Sequence, residues 1–176
     1  MKTTEAEATM KITEVTAGEF RAEAQTTERV LQRVPKDKLT WKPRPTSLSL
    51  GQLALHIAAV PGRLAGMLEE DEVQVTPDAF KINEPKNTEE ILSTFKESTR
   101  AAQNFFNTLS EEKAARSFTF KENGKTIFSQ PRMAVARMIM MSHVYHHRGQ
   151  LAVYLRMLDV PVPSIYGPSA DENPFA

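Results

Sequence analysis

The chain contains no cysteine. That excludes disulfides, a thiolate zinc site and a cysteine nucleophile, and leaves imidazole or oxygen to hold any metal. Charge of one sign is also missing. The 22 basic and 22 acidic residues cancel to a formal net charge of zero. A protein that reads nucleic-acid phosphates normally carries a basic excess, so no nucleic-acid partner is expected. No apolar run is long enough to span a bilayer, and the opening residues MKTTEAEATMKITEV lack the apolar core of a secretory signal. A cytoplasmic protein with no membrane partner is expected. Histidine is scarce as well, with four residues in 176. Three of them fall in one stretch, HVYHHRGQLAVYL, from His143 to Leu155, and the fourth, His56, lies far upstream.

The length suits a single domain over residues 1–176, large enough to bury a core without staples. Residues 1–14 are polar and expected to be flexible, and the proline-rich residues 159–176 read as an extended tail. Between them Phe20, Ala24, Thr27, Leu31 and Val34 recur at helical steps, and Pro35 marks the end of that helix. Ser49 and Gln52 form a capping-box pattern ahead of a second apolar stripe through Leu53, His56, Ile57, Val60, Leu64 and Met67. Pro61 interrupts that stripe and predicts a kink. The segment DEVQVTPDAFKINEPK reads as a loop. Asn87 then caps a third helix, with Glu90 completing a box and Ile91, Phe95, Thr99, Ala102, Phe106 and Leu109 on its inner face.

Asn123-Gly124 predicts a type I′ hairpin, because both central residues of that turn need positive φ. The register then sets Glu122 against Lys125 and Phe120 against Ile127. Ser129 or Gln130 caps a last helix, with Pro131 in its first turn, running to about Leu158. The fold class expected is all-α, a four-helix bundle with a small β-hairpin between helices three and four.

Each helical residue turns the chain by about 100°. His147 and Gln150 therefore lie within about 40° of His143, on the side shared by Ala136, Ile139, Met140 and Tyr154, while His146 sits about 60° off and Arg148 about 140° away. Arg148 is thus expected as a surface or interface charge. The second helix carries His56 in its own apolar stripe, so two helices aim imidazole at one core. A buried imidazole without a partner costs about 1–3 kcal/mol. A divalent cation such as zinc, nickel, copper or iron removes that cost. Histidines at i and i+4 reach one ion from one side, His56 supplies a third nitrogen, and three ligands leave a position for an outside molecule. Geometry alone leaves His146 in play as a ligand. Gln150, His146 and Tyr166 are candidates for substrate contact, and no general acid or base stands out. HVYHH lacks the glutamate of HExxH, and no inward carboxylate set, glycine-rich phosphate loop or GxSxG elbow is present.

SLSLGQLALHIA, followed far downstream by HVYHHRGQLAVYLRMLDVPVPSIYGPSADE, resembles the DinB-like (DinB/YfiT) metalloenzyme family. The resemblance implies a four-helix bundle with a metal, nickel or zinc, held by His56, His143 and His147, so it selects His147 over His146. It also implies a homodimer. Related branches are S-transferases and an isomerase that use a low-molecular-weight thiol. The resemblance thus suggests a metal-dependent thiol S-transferase acting on a small-molecule substrate. The alternatives are a metal-dependent hydrolase and a non-catalytic metal-binding stress-response protein.

Overall fold

The computed structural model describes residues 11–176. Of residues 1–14, expected to be flexible, residues 1–10 lie outside the described residues and Ile12–Glu14 form the first turn of a helix. Helix α1 spans Ile12–Leu31, several residues earlier than the apolar periodicity indicates. Its start is set from elsewhere in the chain: Thr13 donates from its backbone N–H at 3.0 Å and its hydroxyl at 2.5 Å to Glu111 Oε1. A carboxylate at a helix N-terminus satisfies an orphan donor and favours the dipole. Its partner is remote in sequence, so no local pattern announces it.

Helix α2 spans Leu50–Met67 behind the expected capping box. Ser49 Oγ accepts from Gln52 N, and Gln52 Oε1 accepts from Ser49 N, both at 3.0 Å. The helix is unbroken through Pro61. Helix α3 spans Thr88–Thr108, and Asn87 caps it by accepting from Glu90 N at 2.8 Å. Glu90 does not complete the box as expected. Its carboxylate accepts from Lys86 N at 2.6 Å, one residue ahead of the cap. A short helix α4, Glu111–Ala115, follows.

The small sheet has three strands, β1 (Glu72–Gln74), β2 (Ser117–Glu122) and β3 (Lys125–Pro131), where a two-stranded hairpin was expected. Strand β1 lies parallel to β2 inside the segment read as a loop, and three residues are too few to show an alternation. Asn123 and Gly124 take φ of 50° and 77°, as the turn requires. Glu122 pairs with Lys125 as predicted. A bulge between Phe120 and Lys121 then slips the register, so Phe120 faces Phe128. This single extra residue sends Ile127 out to 55% exposure and brings Phe128 against the core.

The last helical segment is one run in three parts: α5 (Arg132–Val135), a π-helical stretch (Ala136–Ser142) and α6 (His143–Met157). Ser129 and Gln130 belong to β3 and do not cap it. Instead Arg132 N donates to Arg116 O at 2.8 Å. The Arg132 side chain is wholly buried and ties three segments together. It donates to Leu68 O at 2.8 Å, Lys113 O at 2.7 Å, Glu70 O at 2.8 Å and Asp71 Oδ1 at 2.6 Å. The carbonyls just past α2 would otherwise lack partners.

The long helices share one core that includes Leu31 of α1, Leu53 and Ile57 of α2, Ile91 and Phe106 of α3, and Leu151 and Leu155 of α6. The protein is mostly helical with a small sheet. Among the described residues no helix is long and apolar enough to cross a membrane.

Helices α2 and α3 approach closely at Gly62. A Cβ there would meet Ser98 Cα at 2.7 Å, and the Gly62 amide donates to Ser98 Oγ at 2.6 Å. Gly62→Ala is expected to lower stability by about 1–3 kcal/mol, because backbone must move to admit the methyl group. The urea midpoint measures this, and an unchanged midpoint would show that the two helices part at no cost.

Candidate metal centre

The π stretch ends where His143 begins. A π turn carries an extra residue and so re-phases the helix beyond it. On α6 the fully buried side chains are Val144, Arg148, Leu151 and Leu155. His143 and His147 lie one position before the first two of these, at the edge of the buried face, and both are half-buried. The two rings thus lie at the edge of the core to which the helix was expected to aim them, on the side that meets α2. His56 is half-buried in the middle of α2 and faces them.

The three rings form a tight triangle. Ring centroids are 5.1 Å apart for His56–His143, 4.7 Å for His56–His147 and 4.4 Å for His143–His147. One nitrogen from each lies within 4.8 Å of the others, and the Nε2 atoms of His56 and His143 are 2.8 Å apart. Among the described residues this is the one such cluster of potential ligands, and it holds no carboxylate. His146 stacks edge-on to His147 at 4.9 Å but is exposed and outside the triangle.

Gln150 has a specific place. Its Oε1 accepts from His147 Nδ1 at 2.7 Å. With the proton held on Nδ1, His147 Nε2 keeps its lone pair free to act as a ligand. The Gln150 contact is thus with a ring of the cluster, one turn on from it.

All three rings are kept neutral. Burial, then the neighbouring His147, His143 and Arg63, lowers His56 to about 4. Burial first, then His147 and His146, lowers His143. Burial also lowers His147, with the Gln150 hydrogen bond acting in the opposite direction. Neutral imidazole is the metal-binding form. Nitrogens that share an ion at about 2.0–2.1 Å are separated by at most about 4.2 Å. The ring nitrogens, all within 4.8 Å of one another, lie close to that bound, and an all-imidazole donor set suits zinc or nickel.

Two other residues read from the sequence lie on the far side of α6. Arg148, expected on the surface, is only 1% exposed. It pairs with Glu23 at 2.7 Å and donates to Thr27 Oγ1 at 3.0 Å and to Tyr166 Oη at 2.5 Å. Its guanidinium lies over the rings of Tyr145 and Tyr166, at 5.3 and 5.0 Å from their centroids. Tyr166 itself is 71% exposed and donates to Glu23 at 3.0 Å, so its hydroxyl contacts are with this ion pair and not with the histidines. Tyr154 packs edge-on to Trp41 at 5.5 Å, a core role.

A cavity of about 230 Å³ opens beside His56, and Arg63 and Lys81 are among the residues that line it. Neither stood out in the sequence, although Arg63 lies two turns after His56 on the same helix. A larger groove of about 580 Å³ runs between α1 and α3, but no histidine lines it. Size alone therefore does not locate the chemistry.

Comparison with known proteins places the chain among relatives of the same fold. The uncharacterized protein YrdA of Bacillus subtilis (strain 168) is 25% identical over 154 residues, which cover 88% of this chain and 86% of that protein. The crystal structure of a DinB-like protein, YjoA, from Bacillus subtilis superposes with a TM-score of 0.63 at 23% identity, covering 82% of this chain and 94% of that one. A DinB-like protein from Bacillus cereus ATCC 10987 gives 0.66 at 20% identity, covering 85% and 94%. Those two likenesses show a shared fold. The family model for the DinB family matches residues 7–174, nearly the whole chain. With its histidine triangle between α2 and α6, this chain belongs to the DinB family.

Proposed function

We propose that His56, His143 and His147 hold one divalent metal ion, nickel or zinc, and that the protein is a metal-dependent enzyme of the thiol S-transferase type. The observation that carries this reading is the convergence of three imidazole nitrogens from two helices, within 4.8 Å and with no carboxylate among them. When bound, such an ion acts as a Lewis acid and lowers the pKa of a thiol placed against it. The chain supplies neutral rings at physiological pH, a Gln150 amide that orients His147, and a half-exposed setting that admits an outside molecule. His146, exposed beside His147, is assigned to substrate contact, and Gln150 to positioning. Tyr166 has no role in this reading, since its hydroxyl is engaged with Arg148 and Glu23. The assembly we propose is a cytoplasmic homodimer whose four long helical segments make a four-helix bundle.

A non-catalytic reading draws on one observation: the histidines bridge α2 and α6, so an ion there would stabilise the folded state alone. The two readings separate in one assay. Metal-loaded protein is screened for conjugation of several low-molecular-weight thiols to a panel of electrophiles, with and without EDTA. EDTA-sensitive turnover supports the enzyme. A rise in Tm with metal and no turnover across the panel supports the structural role.

Protein purified without a histidine tag is expected to take up one nickel or zinc ion per chain. Alanine at His56, His143 or His147 should weaken that binding by about a hundredfold or more, and Gln150→Leu by about tenfold to a hundredfold. His146→Ala should leave it nearly unchanged. Competition with a chromophoric chelator measures all five. Equal loss on replacing His146 and His147 would refute the ligand assignment.

The lowered histidine pKa values also predict a pH profile for the metal-free protein. The unfolded chain binds more protons than the folded one between about pH 6.5 and the folded value near 4 for His56. Stability from this source is therefore complete above about pH 6.5 and is lost as pH falls through that window. Urea midpoints taken across the window should fall more steeply for the wild type than for His56→Gln. Parallel curves would show that His56 titrates normally.

A further inference from the structure

The cavity beside His56 has a chemical character of its own. Arg63 lies about two turns after His56 on α2, on the same side of the helix and roughly 10 Å along its axis. Lys81 reaches the cavity from the segment after β1. Among the described residues neither forms an ion pair with a carboxylate, although eleven such pairs occur elsewhere. Arg63 is held in place by a bond from Nη1 to Ala79 O at 2.9 Å, which leaves its other N–H groups for a ligand. The one acidic residue in the lining, Glu90, already accepts from Lys86 N at 2.6 Å at the start of α3. The rest of the lining is mixed: Leu55, Ala59, Val60 and Ile82 are apolar, and Asn83 and Thr94 are neutral and polar.

We propose that this cavity is the substrate arm of the histidine centre and takes a thiol that carries a carboxylate, with Arg63 and Lys81 holding the carboxylate, the apolar residues of the lining holding an aliphatic spacer and the sulfur entering the centre past His56. The inference rests on the metal reading above and names the substrate class for that same site. A planar guanidinium matches a carboxylate in two parallel hydrogen bonds, and a nearby ammonium adds charge without demanding geometry. The spacing also sets a length: a ligand too short to span the interval engages one end only.

The test uses cobalt(II)-loaded full-length protein. Cobalt uptake is read from ligand-field absorption before any thiol is added, and thiol binding from the thiolate-to-cobalt charge-transfer band. A series of ω-mercaptocarboxylates is compared with ω-mercaptoalcohols of matched chain length. The carboxylates are expected to bind about tenfold tighter or better, with an optimum at one chain length. Arg63→Gln with Lys81→Gln should bring the two series within about twofold when both proteins are compared at saturating cobalt, which removes any effect of Arg63 on His56 from the comparison. Equal affinities in the wild type would overturn the proposal, as would a preference that survives the double variant, or no charge-transfer band with any thiol. Failure of cobalt uptake would overturn the metal reading and this inference with it, and it is seen at a separate, earlier step.

Discussion

The rotation of α6 about its own axis decides what the candidate site contains. Two constraints set it. On one side Arg148 is buried against Glu23, Thr27 and the rings of Tyr145 and Tyr166. A buried ion pair adds little net stability against an apolar alternative, but a guanidinium stripped of its partners there is very costly. Turning α6 by one residue would strip it. On the other side, that fixed orientation leaves His143 and His147 at the edge of the buried face, toward α2 and His56. The π stretch before His143 lets α5 and α6 each present the side chains the core needs despite this phase.

The consequence is a site that is half-buried and not sealed. Enough surface is removed from water to hold the three rings neutral, as lowered basicity at each of them shows. Enough remains open for a ligand to approach. Gln150, one turn beyond His147, completes the arrangement by selecting a tautomer. The adjacent ring in the same stretch, His146, stays out because its side chain is exposed to solvent.

Much of the fold follows from short-range patterns that physical chemistry makes legible. The Ser49–Gln52 box, the Asn87 cap and the Asn123-Gly124 turn all occur where local geometry demands those residues. Misreadings arise where the partner is distant. Glu111 starts α1, Arg116 receives the first amide of α5, and a bulge in β2–β3 moves Ile127 outward and Phe128 inward. Arg148 is the clearest case. Its position on the helical wheel, well away from the histidines, suggests solvent, but another helix lies there with a carboxylate.

The sequence by itself determined the helical character and the hairpin, because periodicity and turn chemistry are local properties of a chain, while local spacing left both His146 and His147 as candidate partners of His143. Only the tertiary structure decided how deep the histidine rings lie, that His56 meets His143 and His147, and that Arg63 and Lys81 stand beside His56. Those are matters of which surfaces meet when α2, α6 and the loop before α3 pack, and no single segment carries that information.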